Sequence, residues 1–196
     1  MVIIGLTGGI ASGKTVVSDY LKELGYPIVD ADELARDIMA PESAVLHRVR
    51  AAFGDTVFCD DGTLDRAALG RKVFSDEKAR ATLDAITHPA IRRLAEKRFG
   101  ELQAEPLVFF VVPLLYESGM DALCDKVWLV HTDETLRQQR LMKRDGINEG
   151  YAAQKMQAQM SEAERLAKAP YVLENNGDKE KLRAQVKKLL KNEKKC

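Results

Sequence analysis

The chain opens on an unbroken apolar run, Val2 to Thr7, rich in β-branched residues and closed by glycines. A short run without alternation is the pattern of a strand buried on both faces. Gly8 to Gly13 follow as a loop, and from Lys14 the apolar positions Val16, Val17, Tyr20, Leu21 and Leu24 recur at helical spacing until Gly25 stops them. Tyr26-Pro27-Ile28-Val29 predicts a second strand, with Pro27 tolerable near its start. Strand, helix and strand within the first 30 residues make a βαβ unit, the element of a parallel sheet.

From Asp30 to about Glu105 the pattern turns helical, broken by Pro41, Gly54 and the Asp60-Asp61-Gly62 turn. Within it, Thr87 is placed to cap a helix carrying Pro89 in its first turn. Pro106 to Val112 is the strongest strand pattern in the chain, followed by Lys126–Thr132 and a shorter Tyr171–Leu173. Helical patterns cover Asp133–Lys143, Asn148–Met160, Ser161–Ala169 and Asp178–Lys194, the last with Asp178 as N-cap. About five strands interleaved with helices mean an α/β fold with a parallel sheet. The helix between Asp30 and Glu105 exceeds what one crossover needs and predicts a helical substrate-binding insertion at one sheet edge.

Composition narrows the class. In 196 residues, 30 Lys+Arg balance 30 Asp+Glu, 45% of positions are hydrophobic and 31% are charged. That is a globular chain of one full domain, with no global electrostatic case for nucleic acid. Cys59, Cys124 and Cys196 are odd in number and far apart, which builds neither a disulfide framework nor a zinc ribbon. No apolar run approaches the roughly 18 residues of a membrane helix, and the N-terminus lacks a basic signal-like segment. The expectation is a cytoplasmic protein, with no membrane partner.

The decisive motif is Gly8-Gly9-Ile10-Ala11-Ser12-Gly13-Lys14-Thr15, which fits G-x-x-x-x-G-K-[ST]. A chance match in a chain this long has odds of about one in a hundred. This one also follows a predicted strand and opens a predicted helix, as the chemistry requires. The glycines let successive N–H groups aim at a phosphate, and the helix adds its positive end. Lys14 then reaches the β- and γ-phosphates and the Thr15 hydroxyl ligates Mg²⁺. A GTPase is excluded: no D-x-x-G occurs, and Asn175-Asn176-Gly177-Asp178 lacks the lysine of N-K-x-D.

A small P-loop kinase also needs a carboxylate for the acceptor's proton and arginines for the moving phosphate. Asp30-Ala31-Asp32 follows the second strand, where ligands of a parallel sheet bind. Asp30, with Glu33 three residues on, also fits a capping box, leaving Asp32 for chemistry. Arg137, Arg140 and Arg144 recur at helical spacing before Gly146, as a lid or as a solvated basic face. His88 has a sufficient structural reading and is a weak substrate-side candidate. Glu117 either orders a Mg²⁺-bound water or caps the next segment.

Together these residues resemble the dephospho-CoA kinase family. The resemblance runs from Gly5 to Thr15, through Val29-Asp30-Ala31-Asp32, Leu64 to Leu69, His88 to Ile91 and Val112 to Glu117, then Arg140 to Arg144, Glu164 to Ala169 and Asn175-Asn176-Gly177. It implies a P-loop three-layer sandwich with a nucleotide-binding core at 1–32, 105–136 and 165–196. A helical CoA-binding subdomain at 33–104 and a lid at 137–160 complete it. It implies transfer of the γ-phosphoryl group of ATP, bound with Mg²⁺, to the ribose 3′-hydroxyl of dephospho-CoA. Asp32 matches the base, with Lys14 and Arg140 as its catalytic companions. Gly8 to Val16, Arg140, Arg144, Arg165 and Asn175 match the ATP side. Asp32, Arg66, His88 and Glu117 stand on the acceptor side, and Thr15 and, through water, Asp32 on the metal. Pro170 departs from the family's usual Asp at the adenine end. The alternatives are a different small-molecule P-loop kinase and a non-catalytic ATP-binding regulator; a monomer is expected.

Overall fold

A computed structural model describes residues 1–193; Cys196 and the last lysines lie outside them. In chain order the elements are β1 (Val2–Thr7), α1 (Lys14–Glu23), β2 (Ile28–Asp30), α2 (Ala31–Asp37), α3 (Ala44–Phe53), α4 (Arg66–Ser75) and α5 (Glu77–Glu101). They continue with β3 (Leu107–Val111), β4 (Lys126–His131), α6 (Glu134–Asp145), α7 (Glu149–Gln157), α8 (Glu162–Lys168), β5 (Tyr171–Glu174) and α9 (Lys179–Glu193). The chain divides into two compact units, one of residues 1–30 with 102 onward and one of Ala31–Glu101.

The first unit is built on a five-stranded sheet of order β2-β3-β1-β4-β5, with every pair parallel. Its central strands are buried on both faces, which is why their sequences run apolar without alternation. On one face Ile4, Leu6, Phe109, Trp128 and Val130 pack with Val17, Tyr20 and Leu21 of α1 and Leu182, Val186 and Leu190 of α9. On the other, a Cβ at Gly5 would stand 2.8 Å from Cys124 Sγ and 3.1 Å from Leu115. Glycine at position 5 is therefore a packing requirement. β2 begins two residues later than the sequence predicts, because Pro27 has no N–H to give the ladder. Its carbonyl still accepts from Phe109 N (3.0 Å), which an edge strand permits. Asp178 caps α9 by accepting from Lys181 N (2.8 Å).

The second unit packs Val49, Phe53, Val57, Leu69 and Ile86 into its own core. Ser43 caps α3 through Leu46 N (3.0 Å) and Asp65 caps α4 through Ala67 N and Ala68 N, both 2.9 Å. One expectation fails here. Thr87 is no N-cap: α5 runs unbroken through Pro89, and the Thr87 hydroxyl donates back to Leu83 O (2.9 Å). Pro89 removes only its own bond to the Ala85 carbonyl. The face that buries Ile86, Ala90, Ile91, Ala95 and Phe99 outweighs that loss. Among the described residues no helix is long and apolar enough to cross a membrane.

Phe109 is fully buried, edge-on to Tyr26 (5.6 Å) and Trp128 (5.2 Å). Phe109→Ala should cost about 3–5 kcal/mol in urea unfolding; a loss under about 1 kcal/mol would remove it from the centre of the core. Burial first, then Asp121 and Asp125, pushes the Cys124 thiol up to about 12. At pH 8 its thiolate is scarce. Peptide mapping after iodoacetamide should find Cys124 unmodified and the exposed Cys59 alkylated.

Candidate active site

The glycine loop leaves the carboxyl end of β1, the middle strand, and turns directly into α1. Gly13 (φ 94°) and Ala11 (φ 60°) take left-handed conformations, so the backbone reverses within a few residues. The loop's shape is imposed from behind. Ser12 O accepts from Asn175 Nδ2 (2.7 Å) and from the Thr132 hydroxyl (3.0 Å). A Cβ at Gly13 would collide with that same Asn175 amide. Arg140 completes the clamp, donating to Asn175 O (3.0 Å) and Thr132 Oγ1 (3.3 Å). These bonds hold the loop from behind through the Ser12 carbonyl, while its own Ser12 N–H donates to Gly9 O (3.0 Å). Ser12 is buried and its hydroxyl has no hydrogen-bond partner.

Lys14 folds over the loop, donating to Gly8 O (2.7 Å) and Gly9 O (3.3 Å). Thr15 is exposed in the first turn of α1 and Val16 is half-buried beside it. Ile10 N donates to Gln159 Oε1 (2.8 Å), so a side chain from beyond α7 rests on a loop amide. Two arginines lie at Gly9. A Cβ there would fall on Arg137 Nη1 and stand 3.2 Å from Arg165 Nη1. Arg165 is 2% exposed and Arg137 5%. Burial lowers the Arg137 pKa, Glu162 opposes that shift and Arg165 adds to it.

The remaining expected residues are spread more widely. Asp30 pairs in register with Val111, which is level with Leu6, so Asp30 stands at the sheet edge from which the glycine loop leaves. Asp32 follows in the first turn of α2, exposed and in the second unit. Arg66 opens α4, and His88 on α5 faces Asp84 (3.5 Å). Arg144 lies at the end of α6 on Asp145 (2.7 Å). Hydrogen bonds from Arg144 and Lys155 hold the Asp145 carboxyl down at about 2, which ties α6 to α7. Glu117 accepts from Met160 N (3.0 Å), a capping bond to the entrance of α8 instead of the segment beside it.

Sequence reasoning took Arg137 as one of three equivalent arginines, on a lid or a solvated basic face, and passed over Thr132, Gln159 and Glu162. Arg137 carried a signal: it is the one arginine of its trio on the helix's buried stripe with Leu141.

A family model described as dephospho-CoA kinase matches residues 2–181. The chain belongs to the dephospho-CoA kinase family. A curated dephospho-CoA kinase of Syntrophotalea carbinolica is 47% identical, over 97% of this chain and 91% of that one. A solved structure from Thermus thermophilus, 37% identical and covering 97% of each chain, superposes with a TM-score of 0.85. A dephospho-CoA kinase from Campylobacter jejuni, 28% identical, covers 97% of this chain and 96% of that one with a TM-score of 0.72. Family membership makes the protein a P-loop kinase with ATP as a substrate.

Asn175→Ala strips one of the two hydrogen bonds on the buried Ser12 carbonyl and should cost about 1–3 kcal/mol in chemical denaturation. A change below about 0.5 kcal/mol would mean that Asn175 does not clamp the loop.

Proposed function

We propose that the chain transfers the γ-phosphoryl group of ATP to the ribose 3′-hydroxyl of dephospho-CoA, giving coenzyme A as the last step of its synthesis. The observation that carries this reading is the clamped glycine loop at the end of β1, opening α1 beneath two buried arginines, in a chain matched along nearly its whole length by dephospho-CoA kinases. An anion cradle with cations above it supports binding of a triphosphate.

In the transfer the 3′-hydroxyl oxygen forms a bond to Pγ while the bond from Pγ to the β–γ bridging oxygen breaks, and ADP leaves. Asp32 takes the hydroxyl proton. The protein chiefly positions the two substrates and neutralises charge. Lys14 exchanges the carbonyls of Gly8 and Gly9 for β/γ-phosphate oxygens. Mg²⁺ bound with the triphosphate would supply charge neutralisation at the phosphate oxygens. The Thr15 hydroxyl, open at the start of α1, offers it a protein oxygen. Unit Ala31–Glu101 takes the acceptor through Arg66 and His88. Segment 137–160 acts as the lid, with Arg140 and Arg144 as its phosphate-side arginines.

The test is ADP release with Mg·ATP, with and without dephospho-CoA, with product mass determined. Acceptor-dependent ADP and a gain of one phosphate on dephospho-CoA are expected. ATP binding without acceptor-dependent turnover would overturn the assignment and point to another acceptor or a regulator. Asp32→Asn should lower kcat by about 10²–10⁴ with little change in ATP affinity; near-wild-type turnover would remove Asp32 from the role. Lys14→Ala should lower kcat/KM for ATP, and an unchanged value would contradict the loop's part in transfer.

A further inference from the structure

Glu162 stands where no motif directs attention, in the first turn of α8, yet it is the hub of the buried charge beside the loop. Its Oε2 takes both arginines, Arg165 Nη1 at 2.7 Å and Arg137 Nη1 at 3.2 Å. Its Oε1 meets His131 Nδ1 at 2.7 Å, at the end of β4. Both carboxylate oxygens are thus engaged, and the side chain has little freedom to turn. The other ring nitrogen of His131 faces Asp133 (3.7 Å) and Glu174 (3.9 Å). Arg165 reaches two further acceptors at longer range, Gln159 Oε1 (3.5 Å) and Glu117 Oε1 (3.9 Å).

Two guanidiniums this deeply buried and this close repel each other, and burial penalises each charge. One carboxylate between them removes part of that cost and sets where both heads lie. It does not use them up: the Nε atoms of Arg137 and Arg165 are buried without hydrogen-bond partners. Among the described residues Glu162 is the only carboxylate shared by both cations, with Glu117 reaching Arg165 alone at 3.9 Å, and the Arg137 head lies over Gly9, where only a missing side chain makes room for it. Phosphate oxygens are the chemistry that complements such a surface.

We propose that Glu162 is a positioning residue for phosphoryl transfer: tethered by His131, it holds Arg137 and Arg165 together against the glycine loop so that the nucleotide meets a preset pair of guanidiniums. It touches no substrate and acts through the arginines. The inference rests on the kinase reading above, and the two fail differently.

The experiment titrates the full chain with Mg·ATP in the absence of acceptor, then measures steady-state kinetics, for wild type, Glu162→Gln and Glu162→Asp. Glu162→Gln should weaken ATP binding about tenfold or more, the scale of one charge-assisted hydrogen bond, and lower kcat, with the KM for dephospho-CoA unchanged. Glu162→Asp keeps the charge but withdraws it by one methylene and should fall between. A merely structural lesion would shrink the active fraction, lowering kcat and leaving the ATP Kd where it was; that result overturns the proposal. Wild-type or tighter ATP binding by Glu162→Gln overturns it too. Should thermal melting show Glu162→Gln unfolded, Glu162→Asp decides, and wild-type affinity in that variant is the overturning result. Wild-type binding with an unresponsive Glu162→Gln sinks this inference alone, whereas a wild-type chain that binds no ATP sinks the kinase reading with it.

Discussion

A loop that is to give its amides to a phosphate must have its carbonyls satisfied by something else, and much of this molecule is arranged around that constraint. Ser12 O is the point where it is met: Asn175, from the end of β5, and Thr132, from the end of β4, both bond to it, and Arg140 of α6 bonds to both of them. Two segments remote from the loop in sequence thereby hold one carbonyl. The parallel sheet makes this feasible, because the carboxyl ends of β1, β4 and β5 lie side by side at one edge. Glycine at position 13 follows from the same arrangement, since the Asn175 amide fills the space of a Cβ.

The cationic side of the site obeys a second rule, that buried charge needs a partner. Arg137 and Arg165 approach Gly9 from α6 and α8, and Glu162 sits between them. The same group of side chains continues outward through His131, Gln159 and Glu117 to the segment between α7 and α8. Gln159 bonds to the Ile10 amide, so this segment touches the loop directly as well as through the arginines. Movement of the proposed lid would therefore disturb contacts at the Ile10 amide and at Arg165.

Where sequence reading was strong, the reason was local. The run Val2–Thr7, the Gly8–Thr15 motif and the Gly25 stop each encode their own geometry, so strand, loop and helix were legible together. The continuous apolar run at Leu107–Val111 reads as a central strand because a doubly covered strand has no polar face. Thr87-His88-Pro89 misled for the converse reason. A local start signal was overridden by a long buried face, whose worth depends on what α5 packs against.

The sequence by itself determined the class of the protein, its parallel sheet and the place of its phosphate loop, because glycine conformation, apolar periodicity and the lysine–threonine pair act over a few residues. Only the tertiary structure decided which arginines matter at that loop and what holds them. Arg137, Arg140 and Arg144 are equivalent as a helical stripe, yet one lies at Gly9, one braces Asn175 and one pairs with Asp145. Those fates depend on which face of α6 is buried and on Glu162, Asn175 and Thr132 arriving from elsewhere in the chain. Charge complementarity of that kind exists only between groups the fold has already brought together, and no spacing along the chain encodes it.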